Sequence, residues 1–71
     1  MRRKKVWYCC KCWDAGEHAV YYKALALEAS RDDVVQFLRK HPEILSMRAA
    51  ETKREAEEAA HQMNLLEVGR K

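Results

Sequence analysis

Cys9, Cys10 and Cys12 fall within four residues of one another near the start of a 71-residue chain. Cys9 and Cys12 form a Cys-x-x-Cys pair. On a tight turn, two thiolates at that spacing point to one side and can grip a single metal ion, and zinc is the first expectation in a reduced compartment. A structural zinc needs four ligands. His18, a few residues beyond the pair, is the expected third. The fourth is Cys10 or His41, or two chains each give Cys9 and Cys12 to one shared ion. A bland reading stands beside this one, because free cysteine also packs as a small hydrophobe. A redox role fits less well: such pairs open a helix after a strand in a βαβ setting, and no such setting follows here. Adjacent Cys9 and Cys10 beside basic residues also permit S-acylation, a third and weaker reading in which the chain is a membrane-peripheral peptide.

The elements around the cluster set what it can do. Val6, Trp7 and Tyr8 favour a short strand running into a turn at 9–13. Asp14 with Glu17 three residues on reads as a capping-box variant opening a helix over 15–29, where Val20, Ala24 and Leu27 share a face. Strand, knuckle and helix start, residues 6–18, resemble one half-site of small zinc folds; the second Cys-x-x-Cys pair of zinc ribbons and treble clefs is missing. Ser30 reads as the cap of a second helix over 31–40, with Val34, Phe37, Leu38 and His41 at i, i+3, i+4 and i+7. Pro42 ends it and opens a third helix over 42–67, uninterrupted before Gly69.

That third helix would be about 38 Å long, against a width of about 24 Å for a compact chain of this size. Leu45, Ala49, Thr52, Ala56, Ala59, Met63 and Leu66 alternate gaps of four and three, a heptad seam with small residues in the middle. Leu45, Ala49, Ala56, Ala59, Met63 and Leu66 are therefore expected to form a dimer interface. The fold class expected is mainly α: a short N-terminal strand and a Cys-x-x-Cys knuckle, then three helices, the last long and suited to dimerisation. Residues 1–5 read as a flexible basic arm and 6–71 as one small domain, with 6–18 as the zinc knuckle. Ten of the apolar residues are alanines, which bury little area each, so a metal or a partner chain is the expected staple.

Charge is unevenly placed. Residues 1–13 carry Arg2, Arg3, Lys4, Lys5 and Lys11 with no acid, while the remainder has a net charge of −2. A basic segment on a mildly acidic body suits an anionic partner. Trp7, Tyr8 and Trp13, interleaved with these cations, could stack bases while the cations meet phosphate. The preferred reading for at least one of Trp7 and Trp13 is core, covering the cysteine turn, which leaves the basic arm as the chief nucleic-acid argument. The clustered cysteines do not suit a secreted disulfide framework, the apolar run after the basic start is too short for a leader, and no stretch approaches the roughly twenty apolar residues of a membrane span. No Gly-rich phosphate loop or catalytic set is present, so an enzyme is not expected. The sequence thus points to a small cytoplasmic zinc-binding regulatory protein that contacts nucleic acid through Arg2, Arg3, Lys4, Lys5 and Lys11. The alternative is a non-enzymatic interaction adaptor that associates with itself or a partner through its C-terminal helix.

Overall fold

A computed structural model describes residues 4–68. The chain runs β1 (Lys5–Asp14), β2 (Ala19–Glu28), α1 (Arg31–Lys40), β3 (Ile44–Ala50) and α2 (Lys53–Val68). The three strands form one antiparallel sheet in the order β2-β1-β3, so α1 carries the chain across β1 from one edge to the other. The mainly α, three-helix expectation is overturned. The segment 15–29 is a hairpin turn and a strand, and 42–67 is divided between a strand and a helix. Helix α1 occupies the residues expected of the second helix, and α2 only the later part of those expected of the third.

The aromatic run at Val6–Tyr8 does begin a strand, but it continues through all three cysteines to Asp14 instead of turning at Cys9. The Asp14 signal works in a turn and not at a helix start. Its Oδ1 accepts the Gly16 and Glu17 amides at 2.9 and 3.3 Å, the bonding an N-cap would make. His18 then takes a left-handed φ of 53° and the chain reverses into β2. In β2, Tyr21, Leu25 and Leu27 face one way while Val20, Tyr22, Ala24 and Ala26 face the other, as their partners on β1 require. Both faces are apolar, so the period of two is masked in the sequence.

Each face of the sheet carries one helix. Cys10, Cys12 and Ile44 form a buried cluster against which Tyr8, Tyr21, Leu25, Phe37, Leu38 and Met47 pack, which seats α1 on this side. Cys9 belongs to the opposite face with Trp7, and there Lys53 of α2 lies 5.6 Å over the Trp7 ring. Ala56 and Ala60 of α2 are buried, and Ala24 and Ala26 of β2 belong to the face that α2 covers. Small residues on both surfaces let the helix come close to the strands.

A bulge places Ile44. Lys11 pairs with Ser46 but Cys12 pairs with Ile44, so Leu45 is an extra residue on β3. The insertion turns Ile44 into the Cys10–Cys12 face, where it is buried, and leaves Leu45 55% exposed. Thr52 separates β3 from α2. Its Oγ1 accepts the Glu55 amide at 3.2 Å, while Glu55 Oε2 accepts the Glu51 amide at 3.1 Å. This capping arrangement starts the last helix eleven residues later than expected.

The two sheet edges differ. Tyr22, midway along the outer strand β2, donates its amide to Asn64 Oδ1 at 2.8 Å and accepts from Asn64 Nδ2 at 3.0 Å. One α2 side chain thus satisfies both main-chain groups where a further strand would pair. At β3, no described side chain does the equivalent for Met47 or Ala49.

Candidate functional site

The three thiols do not form a metal knuckle. In a strand, residues three apart point to opposite faces, so Cys9 lies on the α2 side and Cys12 on the α1 side. Cys10 and Cys12 share a face, and the Cys12 Sγ lies 3.9 Å from the Cys10 carbonyl oxygen. All three are free and buried. Burial pushes each thiol up, Cys10 to about 11, with the neighbouring thiols raising it further and Lys23 acting against them. They are neutral at physiological pH and pack as small hydrophobes.

The expected histidine ligands lie elsewhere. His18 is exposed at the hairpin tip, its ring 6.3 Å from that of Trp13. His41 stacks on Phe37 at 4.3 Å and its Nδ1 sits 3.0 Å from Glu43 Oε1. The Glu43 carboxyl is held low by a backbone hydrogen bond, with His41 adding to the effect. Among the described residues, no group of three or more Cys, His, Asp or Glu side chains could hold a metal ion. The expectation of zinc on Cys9, Cys12, His18 and His41 is therefore overturned: a strand, not a turn, carries the pair.

The helical seam is also divided. Leu45 and Ala49 lie on β3, Thr52 in the connection, and only the later members on α2. Ala56 is fully buried within the chain, Ala59 and Met63 are half-buried, and Leu66 is 63% exposed. These residues do not form one continuous helical stripe.

The basic residues fare differently. Arg2 and Arg3 lie outside the described residues. Lys4 and Lys5 are exposed, and Lys5 pairs across the strands with Glu28. Lys11 shares the face of Trp7, Cys9 and Trp13, and its β3 partner is Ser46. Two residues along β3, Arg48 pairs with Cys9 on that same face, which makes Arg48 a diagonal neighbour of Lys11. Helix α2 lies mainly over β2 and β1 and only lightly over β3, so among the described residues the β3 side of this face is the more open one. Ser46 and Arg48 are exposed and Lys11 half-exposed. Among the described residues, no carboxylate forms an ion pair with Lys11 or Arg48. Lys53, by contrast, is shared between the Trp7 ring and Glu57 at 3.9 Å.

Trp13 closes this strip at the hairpin end. It is 37% exposed and borders an open cleft of about 530 Å³ with Glu17, His18, Val20, Asn64 and Glu67. Tyr22 Oη donates to Glu67 at 3.4 Å along the same wall. An exposed indole thus stands one alternation beyond a lysine that has no ion-pair partner among the described residues, on the same face of the sheet. Arg48 was not singled out by sequence reasoning, because the stretch containing it reads as helix. The spacing Ser46, Arg48, Ala50 is the alternation that could have placed it with Lys11.

Comparison with family models, with curated proteins and with solved structures finds no match for this chain. No helix among the described residues is long and apolar enough to cross a membrane.

Proposed function

We propose that this protein is a non-enzymatic module that binds single-stranded nucleic acid on the open half of the α2-side sheet face. The observation that carries the reading is the juxtaposition of Lys11 and Arg48, two cations with no ion-pair partner among the described residues, with the exposed Trp13 on the same face. Phosphates are held by cations that no carboxylate has already neutralised. Bases, once unstacked, gain contact energy from an exposed aromatic plane, at about 1–3 kcal/mol per stacked base. Lys5 opens the same central strand, with Arg2, Arg3 and Lys4 before it in the sequence, and these residues would add phosphate contacts. The buried neutral thiols support a scaffolding role for the cysteines in this reading, with no part in chemistry.

The test is fluorescence anisotropy of a labelled oligothymidylate and the matching oligouridylate over a salt series. Binding should weaken with salt, with a slope of about 0.7 on logarithmic axes for each phosphate neutralised. Lys11→Glu and Arg48→Glu should each weaken binding and reduce that slope by about one contact. Trp13→Ala should weaken binding without changing the slope, because stacking carries no counterion release. Affinity unchanged in both charge reversals would place the anion site elsewhere and sink the proposal.

A further inference from the structure

The unbraced edge of the sheet is a separate feature, and it concerns what this protein pairs with. The direction of each main-chain group on β3 follows from three hydrogen bonds. Asn64 occupies the outward amide and carbonyl of Tyr22, so Tyr22 and its partner Lys11 face away from each other. Lys11 therefore bonds toward β3. In an antiparallel ladder the direction alternates, so odd-numbered β1 residues bond to β3 and even-numbered ones to β2. Trp13 donating to the Glu43 carbonyl at 2.7 Å and Ala29 donating to the Lys4 carbonyl at 2.6 Å both obey this parity. Across the β1–β3 register, Ser46, Arg48 and Ala50 then face inward, while Met47 and Ala49 direct their amides and carbonyls to the open edge. Helix α1 packs mainly on β2, and α2 on β2 and β1 with lighter contact to β3, so neither helix lies along that edge.

We infer that β3 pairs with β3 of a second copy of this chain, antiparallel about a two-fold axis at Met47, giving a continuous six-stranded sheet. The register is selected by the residues themselves. Centring on Met47 makes Met47 a hydrogen-bonded pair with its own symmetry mate, as the outward direction of its main chain requires. Arg48 then stands across from Ser46 of the other copy, and exposed Leu45 across from Ala49. Sliding one step toward the strand end brings Arg48 against its own copy, a like-charge contact. Sliding the other way sets Met47 across from Leu45 and so moves the bulge from the ends of the pairing to beside its axis, where the ladder is irregular. Because Asn64 braces the opposite edge, the pairing closes as a dimer and does not propagate into a fibre. The inference does not rest on nucleic-acid binding, although it would set the Lys11–Arg48 strips of two chains side by side.

Sedimentation over a concentration series, without nucleic acid, tests it through residue 46. That side chain is exposed and points away from the buried thiol cluster, so its replacement leaves the fold intact. Ser46→Glu should tighten self-association about fivefold by facing Arg48 of the second copy twice across the axis, and Ser46→Arg should weaken it by a similar factor. Ala49→Pro removes an amide that faces solvent in the single chain, a position where an edge strand tolerates proline. It should abolish the dimer while circular dichroism stays unchanged. The Met47 and Ala49 amides should be protected from hydrogen exchange only at dimer-forming concentrations. Ser46→Glu also separates the two proposals, since it should strengthen pairing while weakening oligonucleotide binding. A single-chain mass at every concentration would overturn the inference. So would a dimer indifferent to Ala49→Pro and to the charge at residue 46, which would point to the exposed Leu65 and Leu66 of α2 instead.

Discussion

Removing the Asn64 brace should show how much of this small fold depends on one side chain. Its amide makes two hydrogen bonds, 2.8 and 3.0 Å, to the main chain of Tyr22 at a part-buried position. A net hydrogen bond contributes about 1 kcal/mol, and a group left unpaired away from water costs more, so losing both should cost about 2–3 kcal/mol. Asn64→Ala also places a better helix former in α2, which returns about 0.5 kcal/mol. The expected net loss is about 2 kcal/mol. A chain of this length has a total stability of roughly 4–10 kcal/mol by the per-residue norm, so the effect is a large fraction of the whole. With an m-value of about 1 kcal/mol/M in urea, the midpoint followed by tryptophan fluorescence should fall by about 2 M. Asn64→Asp is the sharper control. It keeps an acceptor for the Tyr22 amide but turns a second oxygen toward the Tyr22 carbonyl and adds a negative charge one turn from Glu67. It should therefore destabilise as much as alanine or more, with fast hydrogen exchange at Tyr22 only in the alanine variant. A midpoint unmoved in both variants would refute the view that this edge is held by Asn64.

Two further perturbations test the cap and the thiols. Thr52→Ala removes the hydroxyl that accepts the Glu55 amide and should cost about 1 kcal/mol. That loss would be read as a lower urea midpoint with an unchanged m-value. Burial holds the Cys10 thiol near 11 against its usual 9.0, so the folded chain keeps the proton after the unfolded chain has released it. This contribution is fully present below about pH 9 and is lost as pH rises toward 11. Urea midpoints measured across that window should fall, and Cys10→Ala should fall less steeply; parallel declines in the two proteins would remove the thiol from the explanation.

The errors of sequence reading here share one physical cause, which is that local signals were correct in chemistry and ambiguous in element. Asp14 does accept amides two and three residues on, as a cap would, but in a turn. The period-two alternation of β2 is present at Tyr21, Leu25 and Leu27, yet Val20, Ala24 and Leu27 fit a helical stripe equally well when both faces are apolar. In β3 only Ile44 is a strong strand former; Leu45, Met47, Arg48 and the two alanines all prefer helix. That preference is overridden because β1, with apolar side chains on both faces, needs a second neighbour to satisfy its outward main chain. The break between β3 and α2 carries a signal that the uninterrupted reading of 42–67 passes over, since Thr52 followed by Glu55 is a capping pattern inside the supposed long helix. Helix α1 was legible because its four stripe positions, its leading acids and its trailing Pro42 agree with one another.

The cysteine cluster makes the same point at the level of the site. A Cys-x-x-Cys pair implies a metal only when the backbone between its members turns. Here Val6, Trp7 and Tyr8 carry strand geometry forward, and β2 pairs with every residue from Lys5 to Asp14, so no turn can form. The odd spacing then sends Cys9 and Cys12 to opposite sides of a sheet covered on both. Small side chains in the central strand are what allow α1 and α2 to pack against it, which is the role left to the sulfurs once they are neutral and separated. The cations were more legible, because a residue's charge is independent of the element that carries it. What pairing adds is the neighbour: Lys11 finds Arg48 only after β3 is laid beside β1, thirty-seven residues away in the chain.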